Sequence, residues 1–284
     1  MVSSDQSYAR LPKSYKGLFP FCICAPSFIY PAHWITNIRL LGHYLDEIEI
    51  LFFDSGKDTD FPSRDDIDQM AKLADKHSIS YNVHLPIDIS PGSPDSDIRR
   101  GAIDIIIRTY RLAAPLKPTA CILHLPLDVT TTDQAELNCW RQRLEKSVET
   151  LLLGGIPSQS LSVETLDYPL EWIQPIIETF DLAVCLDVGH LLDHGIDWQA
   201  EYCKWADRIN MVHLHGVQNH HDHRCLDVLS QSVFTGILAT LKSFTGTISI
   251  EVFSFDNLKK SLAYFEKHWQ GQASHGKTFE HCRV

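Results

Sequence analysis

The chain has 284 residues and a net charge of −11, and 44% of its residues are apolar. This length and composition fit one globular α/β domain, whereas the acidic charge disfavours a nucleic-acid partner because phosphate backbones select basic surfaces. No apolar run reaches the ~18 residues that a membrane span needs, and the N-terminus lacks the apolar segment of a signal peptide.

Eight short apolar runs recur along the chain, and amphipathic stretches separate them. The runs are Leu18–Cys24, Glu47–Phe53, Ile79–Leu85, Ala120–Leu125, Leu161–Glu164, Leu182–Val188, Ile209–Leu214 and Thr247–Val252. Asp97–Ala114 and Gln134–Leu153 carry apolar residues at the three- and four-residue spacing of helices. Strands that alternate with helices predict a parallel sheet, and eight units predict a single-domain (β/α)₈ TIM barrel. An open doubly wound sheet is the alternative, but no Gly-rich turn follows the first run.

The barrel is expected to span residues 18–268, with an N-terminal arm at 1–17 and a C-terminal tail at 269–284. The segment 218–224 is expected to be a loop after the seventh strand. Cys22, Cys121 and Cys185 lie in apolar runs, which is typical of buried free thiols. Such thiols indicate a reducing compartment, so we expect a cytoplasmic protein.

Ligand-type residues end six consecutive strands, from the third to the eighth. They are His84, His124, Glu164, Asp187 with His190, His213 with His215, and Glu251. The carboxyl ends of all strands share one face of a barrel, so these side chains should meet at its mouth. Imidazoles and carboxylates suit zinc, manganese or iron, and buried charges need such a partner. The sequence therefore predicts a site for two or three divalent ions, with zinc favoured.

Further candidates flank this cluster. His215 is expected to act as a ligand, a general acid or a substrate contact. One or more residues of His221, Asp222 and His223 should reach the metals. The candidates for substrate binding are Arg224, for a phosphate oxygen, the aromatics Phe28 and Tyr30, and Glu49, which could also support a ligand.

This set of strand-end residues resembles the xylose isomerase-like TIM barrel superfamily over about residues 18–268. That superfamily includes sugar isomerases, sugar-phosphate epimerases and the endonuclease IV type of apurinic-site nuclease. The ligand order is most similar to the three-metal nuclease type. The resemblance implies one metal at His84 and His124, with Glu164 bridging to a second metal at Asp187, His213 and Glu251. It implies a third at His190 and His223.

A narrower resemblance is to the cobamide-remodelling phosphodiesterases, carried by strings such as Ser27–Pro31, His84–Asp88 and His213–Gly216. It implies hydrolysis of the nucleotide loop of a cobamide, with Glu164 or Glu251 accepting the water proton and His215 assisting the leaving oxygen.

Three other functions stay open at this point. A sugar or sugar-phosphate isomerase or epimerase would use one metal, with Glu164 and Glu251 as acid and base. An apurinic-site endonuclease should have a basic rim, which the charge of −11 does not favour. A metal-dependent corrinoid- or sugar-binding protein is the non-enzymatic alternative. In each enzymatic case except the nuclease the substrate is a small molecule, namely a cobamide or a phosphorylated sugar or nucleotide.

Overall fold

The structure is a computed structural model that describes residues 8–52, 61–128 and 133–273. Its strands are β1 (Cys22–Pro26), β2 (Glu47–Leu51), β3 (Ser80–His84), β4 (Cys121–Leu123), β5 (Leu161–Glu164), β6 (Ala183–Asp187), β7 (Ile209–Leu214), β8 (Gly216–Gln218), β9 (His221–Arg224) and β10 (Thr247–Ile250). All strands but β8 and β9 form one closed parallel barrel in the order β1-β10-β7-β6-β5-β4-β3-β2. The predicted eight-stranded barrel is confirmed.

Helices surround the barrel. They are α1 (Trp34–Leu41), α2 (Arg64–His77), α3 (Ser96–Ala113), α4 (Gln134–Leu153), α5 (Gln174–Thr179), α6 (Val188–Asp193), α7 (Trp198–Trp205), α8 (Gln231–Thr240) and α9 (Phe255–Ala273). Short polar side chains define where several begin: Asp95, Asp133 and Asp197 each accept two backbone N–H groups of the following helix. None of these helices is long and apolar enough to cross a membrane.

The barrel strands are buried on both faces, because helices cover the outside and side chains fill the inside. Ile48, Val83, Val163 and Val212 are fully buried in one continuous apolar core. A parallel sheet covered in this way reads as unbroken apolar runs, which is why the strands were recognisable in the sequence.

A buried carboxylate, that of Glu47, lies at the base of the barrel, where the strands begin. Glu47 Oε1 accepts hydrogen bonds from Asn82 Nδ2 at 2.6 Å and Thr119 Oγ1 at 2.8 Å. Its Oε2 accepts from Ser80 Oγ at 2.6 Å and from Thr247 Oγ1 at 3.4 Å. These neutral donors satisfy both carboxylate oxygens without any cation.

Several elements differ from the prediction. The first strand is Cys22–Pro26 rather than Leu18–Cys24, and the end of the second predicted run, Phe53, lies outside the described residues. Within the predicted arm, Leu11 and Tyr15 are buried in the core. Helix α9 continues past residue 268, and residues 1–7 and 274–284 lie outside the described residues.

The predicted loop at 218–224 is instead an antiparallel hairpin of β8 and β9. Its two turn residues, Asn219 and His220, both have positive φ, at 54° and 57°. Positive φ at both positions is the geometry of a type I′ turn, whose twist matches that of paired strands. Of the three cysteines predicted to be buried, Cys121 and Cys185 are buried, while Cys22 is half-buried.

Candidate metal centre

The predicted strand-end residues meet at the mouth of the barrel. His84, Glu164 and Asp187 are the last residues of β3, β5 and β6, while His124 and Glu251 follow β4 and β10 closely. Because parallel strands place their carboxyl ends on one face, these positions converge without any unusual backbone geometry. His213, in β7, completes the cluster.

Glu164 lies at the centre of the cluster. Its Oε2 is 3.1 Å from His84 Nε2 and 2.7 Å from His124 Nε2, and its Oε1 is 3.2 Å from His213 Nδ1. The carboxyl group is 1% exposed. One carboxylate therefore links three imidazoles from three different strands.

A second set of contacts joins the remaining acids to His213. Its Nδ1 is 3.1 Å from Glu251 Oε2 and 3.8 Å from Asp187 Oδ2. One atom each of Glu164, Asp187, His213 and Glu251 lies within 4.8 Å of all the others, and all four side chains are buried. A smaller group, His84, Glu164 and His213, meets the same distance limit and shares two of these members.

Local structure orients Asp187. Its side chain caps α6 by accepting the His190 backbone N–H at 2.8 Å. Its backbone N–H donates to Thr165 Oγ1 at 2.8 Å. Gly189, in the same turn, could carry no side chain, because a Cβ there would lie 2.1 Å from the His215 ring. The Asp-Val-Gly-His string is therefore a helix cap that also makes room for an imidazole.

A group of three histidines lies beside this set. Ring nitrogens of His190, His215 and His223 lie within 4.8 Å of one another. The His223 backbone N–H donates to His215 Nδ1 at 3.0 Å, and His215 Nε2 lies 3.1 Å from Asp187 Oδ1. Both nitrogens of His215 are thus engaged, and His215 could bind an ion only by giving up one of these bonds.

The electrostatics of the mouth fit a bound cation. Glu164, Asp187 and Glu251 are three buried carboxylates whose ion pairs, within the described residues, are all with histidines. Glu251 Oε2 is buried without a hydrogen-bond partner there. Buried carboxylates in such numbers are costly unless cations neutralise them, and three carboxylates with one imidazole suit a divalent metal.

The same contacts shift the pKa values of the cluster. Burial opposes ionisation of Glu164, but the charges of His124 and His213 outweigh it and hold the pKa of Glu164 well below its usual range. Burial disfavours the charged imidazole of His84, yet the hydrogen bond and charge of Glu164 raise the pKa of His84 to about 9. In the absence of metal, protonated imidazoles therefore take the place of the cation.

Several predicted site residues do not join the cluster. Tyr30 is buried in the core, where its hydroxyl donates to the Ala9 carbonyl at 2.7 Å and its ring stacks on Phe255. Phe28 packs against Trp34, with ring centroids 6.1 Å apart. In the hairpin, His221, Asp222 and Arg224 are exposed.

His223 differs from its neighbours in β9. It faces the site, with its Nδ1 3.0 Å from the Glu251 carbonyl oxygen, whereas Arg224 is exposed. Asp222 Oδ2 comes within 3.7 Å of His223 Nε2, and the ring of His223 also lies near those of His215 and His190. His215 directly follows β7 and His190 lies in α6, so these two elements bring their imidazoles to His223.

Two functional candidates were missed in the sequence. Thr165 holds Asp187 through its hydroxyl and accepts a hydrogen bond from His190 Nδ1 at its carbonyl, at 3.1 Å. The ring of Phe253 lies 4.7 Å from that of His223. Thr165 directly follows Glu164, and Phe253 lies two residues after Glu251. Proximity to a predicted strand-end ligand was therefore the signal in the sequence that could have identified them.

Comparisons with known proteins agree on the fold. Among curated proteins, none matches this sequence. A solved structure of a D-tagatose 3-epimerase-like protein matches with a TM-score of 0.71 and 20% identity, covering 89% of this chain and 100% of the other. An L-ribulose 3-epimerase matches with a TM-score of 0.69 and 18% identity, covering 90% and 96%. A D-allulose 3-epimerase from Methylomonas sp., in complex with D-allulose, matches with a TM-score of 0.65 and 13% identity, covering 91% and 98%.

These matches correct the expected function. The expectation of a cobamide phosphodiesterase is wrong, because the matching structures are sugar epimerases. The strings that carried this expectation are each only a few residues long, and so they did not separate a hydrolase from an epimerase. The profile of one family, described as the Xylose isomerase-like TIM barrel, matches residues 41–268. The chain belongs to the xylose isomerase-like TIM barrel family.

Proposed function

We propose that this protein is a metal-dependent sugar isomerase or epimerase, which moves a proton at a carbon next to a carbonyl group of a small ketose or aldose. One observation carries the proposal: ligand atoms of Glu164, Asp187, His213 and Glu251 lie within 4.8 Å of one another at the barrel mouth. This set offers one divalent ion four ligands, and two of the four are glutamates that can also exchange protons.

The structural matches support the substrate class. Of the three matching proteins named above, one is described as D-tagatose 3-epimerase-like and the other two are named as epimerases of L-ribulose and D-allulose, the last of which holds D-allulose. At 13–20% identity these matches establish the fold, so the sugar assignment for this chain depends on its own site.

The proposed chemistry assigns separate tasks to the ion and to the chain. When bound, a divalent ion polarises the carbonyl and hydroxyl oxygens of a sugar and makes the neighbouring C–H more acidic. Glu164 and Glu251 come from β5 and from the residue after β10, and they contact the same nitrogen of His213. One carboxylate would remove the proton, and the other would return a proton on the opposite face of the carbon.

His84 and His124 acquire a task in this proposal that does not require a second ion. Both contact Glu164 Oε2, at 3.1 and 2.7 Å, and so hold that carboxylate in one orientation. A general base is effective only when its position relative to the substrate is fixed. Their role as metal ligands, and that of His190 and His223, stay predictions that a count of bound ions decides.

The test uses the whole chain and several sugars. Protein stripped with a chelator is reloaded with Mn²⁺, Mg²⁺, Co²⁺ or Zn²⁺ and incubated in D₂O with ribulose, fructose, tagatose, allulose and their phosphates. Chromatography measures new epimers or isomers, and NMR measures deuterium that enters the carbon skeleton. We expect metal-dependent exchange and product with at least one sugar. No exchange and no product with any sugar and any metal would overturn the proposal.

A further inference from the structure

A second buried glutamate on β2 lies close to the candidate metal centre. Glu49 is fully buried, and its Oε2 is 3.1 Å from Nε2 of His213, which is also fully buried. Among the described residues, neither carboxylate oxygen of Glu49 has a hydrogen-bond partner, and nor does His213 Nε2, so the two groups are in contact but are not aligned as donor and acceptor. The two side chains are therefore each other's polar neighbours.

The opposite edge of the His213 ring faces the acids. Its Nδ1 is 3.2 Å from Glu164 Oε1 and 3.1 Å from Glu251 Oε2. The imidazole thus stands between one isolated carboxylate and the set of carboxylates that would bind the ion. Only one of its nitrogens can offer a lone pair to a metal, and the other then carries the ring proton.

We propose that Glu49 is a positioning residue, which accepts the Nε2 proton of His213 in a hydrogen bond and thereby directs the Nδ1 lone pair at the metal. The inference rests on the metal site of the proposed function and not on the identity of the sugar. A histidine ligand commonly donates its other N–H to a carboxylate, which fixes the tautomer and the ring orientation and makes the ligand more basic.

A comparison with Glu47, on the same strand, argues against a purely structural role for Glu49. Glu47 has hydrogen bonds from Asn82, Thr119 and Ser80, all neutral side chains at the base of the barrel. Glu49, two residues further along the same strand, has no such donor within the described residues. An unpartnered buried carboxylate is costly, so its retention opposite a single imidazole points to a function of that contact.

Of the two roles expected for Glu49, substrate binding and support of a ligand, the contact favours the second. Glu49 approaches Nε2, while the acids that would hold the ion approach Nδ1. The imidazole ring therefore separates Glu49 from that group of carboxylates, and Glu49 acts on the site through His213.

The first test measures metal affinity without any sugar. Mn²⁺ is titrated into metal-free wild-type, Glu49→Gln and Glu47→Gln proteins by calorimetry, with circular dichroism as a check of folding. We expect Glu49→Gln to bind Mn²⁺ about 10-fold or more weakly, the range for loss of a partner behind a histidine ligand. Glu47→Gln, a matched change on the same strand, should stay within about twofold of wild type. Equal affinity of Glu49→Gln and wild type overturns the inference.

The second test reads the proton itself, and its first readout, in the wild-type protein, needs no variant. The Zn²⁺-loaded protein, labelled with ¹⁵N at histidine, should show a slowly exchanging low-field proton on Nε2 of His213. The signal should move upfield in Glu49→Gln and stay in place in Glu47→Gln. A proton on Nδ1, or an Nε2 signal that Glu49→Gln leaves unchanged, overturns the inference. Weaker Mn²⁺ binding by Glu49→Gln, together with no turnover of any sugar by wild type, would leave this inference standing and remove the proposed function.

Discussion

Buried carboxylates occur at both ends of this barrel, and their partners differ. At the base, hydroxyl and amide groups surround the single carboxylate of Glu47. At the mouth, Glu164, Asp187 and Glu251 are surrounded by imidazoles, and one of their oxygens has no hydrogen bond within the described residues. Both ends are equally shielded from solvent, so burial alone does not distinguish a functional site.

The difference lies in the groups that satisfy each carboxylate. At the base, neutral donors satisfy the oxygens of Glu47, so this carboxylate needs no ligand and its hydrogen bonds stabilise the fold. At the mouth three negative charges lie together, and they require either protonated imidazoles or a cation. The mouth therefore has the groups that the proposed function needs to transfer protons and to bind metal, whereas the base does not, and each experiment below acts on one end or the other.

The largest effect is expected from Glu164→Gln. This change replaces a carboxylate that is a proposed metal ligand and proton carrier with a neutral amide, which offers His84 and His124 only one acceptor oxygen and no charge. We expect turnover of the sugar to fall about 10⁴-fold, the upper range for general acid–base catalysis, and Mn²⁺ binding to weaken. Kinetics and metal titration measure both, with Glu47→Gln as the control. Retained turnover and metal content would show that Glu164 has neither role.

Glu251→Gln should separate the two proton transfers. If each glutamate transfers a proton on one face of the carbon, this variant loses the proton transfer by Glu251 and keeps the proton transfer by Glu164. We expect turnover to fall about 10²- to 10³-fold, while deuterium still enters one of the two epimers. NMR in D₂O, started from each epimer in turn, measures this asymmetry. Equal loss from both epimers would contradict the division of labour.

Removal of metal should destabilise the mouth and leave the base unaffected. A ligand present at 100 times its Kd stabilises a protein by about 2.7 kcal/mol, which corresponds to a Tm increase of roughly 5–10 °C for a chain of this size. Mn²⁺ should raise the Tm of metal-free protein by about this amount in calorimetry, and by the same amount in Glu47→Gln. An unchanged Tm for the wild type on addition of Mn²⁺ would argue against a metal site.

Glu47→Gln should act on stability alone. The amide cannot accept all the hydrogen bonds that the carboxylate accepts from Asn82, Thr119 and Ser80. We expect a loss of about 1–3 kcal/mol in the free energy of unfolding, measured by urea denaturation, with kcat and metal affinity near wild type. A large loss of metal affinity in this variant would mean that the two ends of the barrel are coupled.

The smallest effect is expected from Arg224→Ala. The side chain is exposed on the outer face of β9, while His223 faces the site. We expect KM and kcat to change less than about twofold, as exposed substitutions away from a site usually have little effect. A selective rise in KM for phosphorylated sugars would restore the sequence-based expectation that Arg224 binds a phosphate oxygen.

The cluster at the mouth was predictable because the geometry of a parallel barrel is regular. Six consecutive apolar runs that end in His, Asp or Glu must bring those side chains to one face, whatever the detailed packing. Contacts across the barrel were not predictable in this way. Glu49 and His213 lie on β2 and β7, which are not neighbours in the sheet, and no spacing along the chain encodes their distance of 3.1 Å.

The hairpin of β8 and β9 was not predicted from the sequence, for a different reason. Its turn uses Asn219 and His220 where a type I′ turn prefers Asn-Gly, so the usual signal is absent and the segment reads as a polar loop. His223, in β9, also has a positive φ, at 49°, so strand alternation did not predict that it faces the mouth. The function was misassigned because a metal site of this type can serve both hydrolysis and proton transfer.

The most direct test of the account is a crystal structure of Mn²⁺-loaded protein, with anomalous data at the manganese edge. We expect a strong peak that Glu164, Asp187, Glu251 and Nδ1 of His213 all contact, and no peak among the donors around Glu47. A structure in which these four side chains bind no manganese, under conditions where the protein turns over a sugar, would contradict the account.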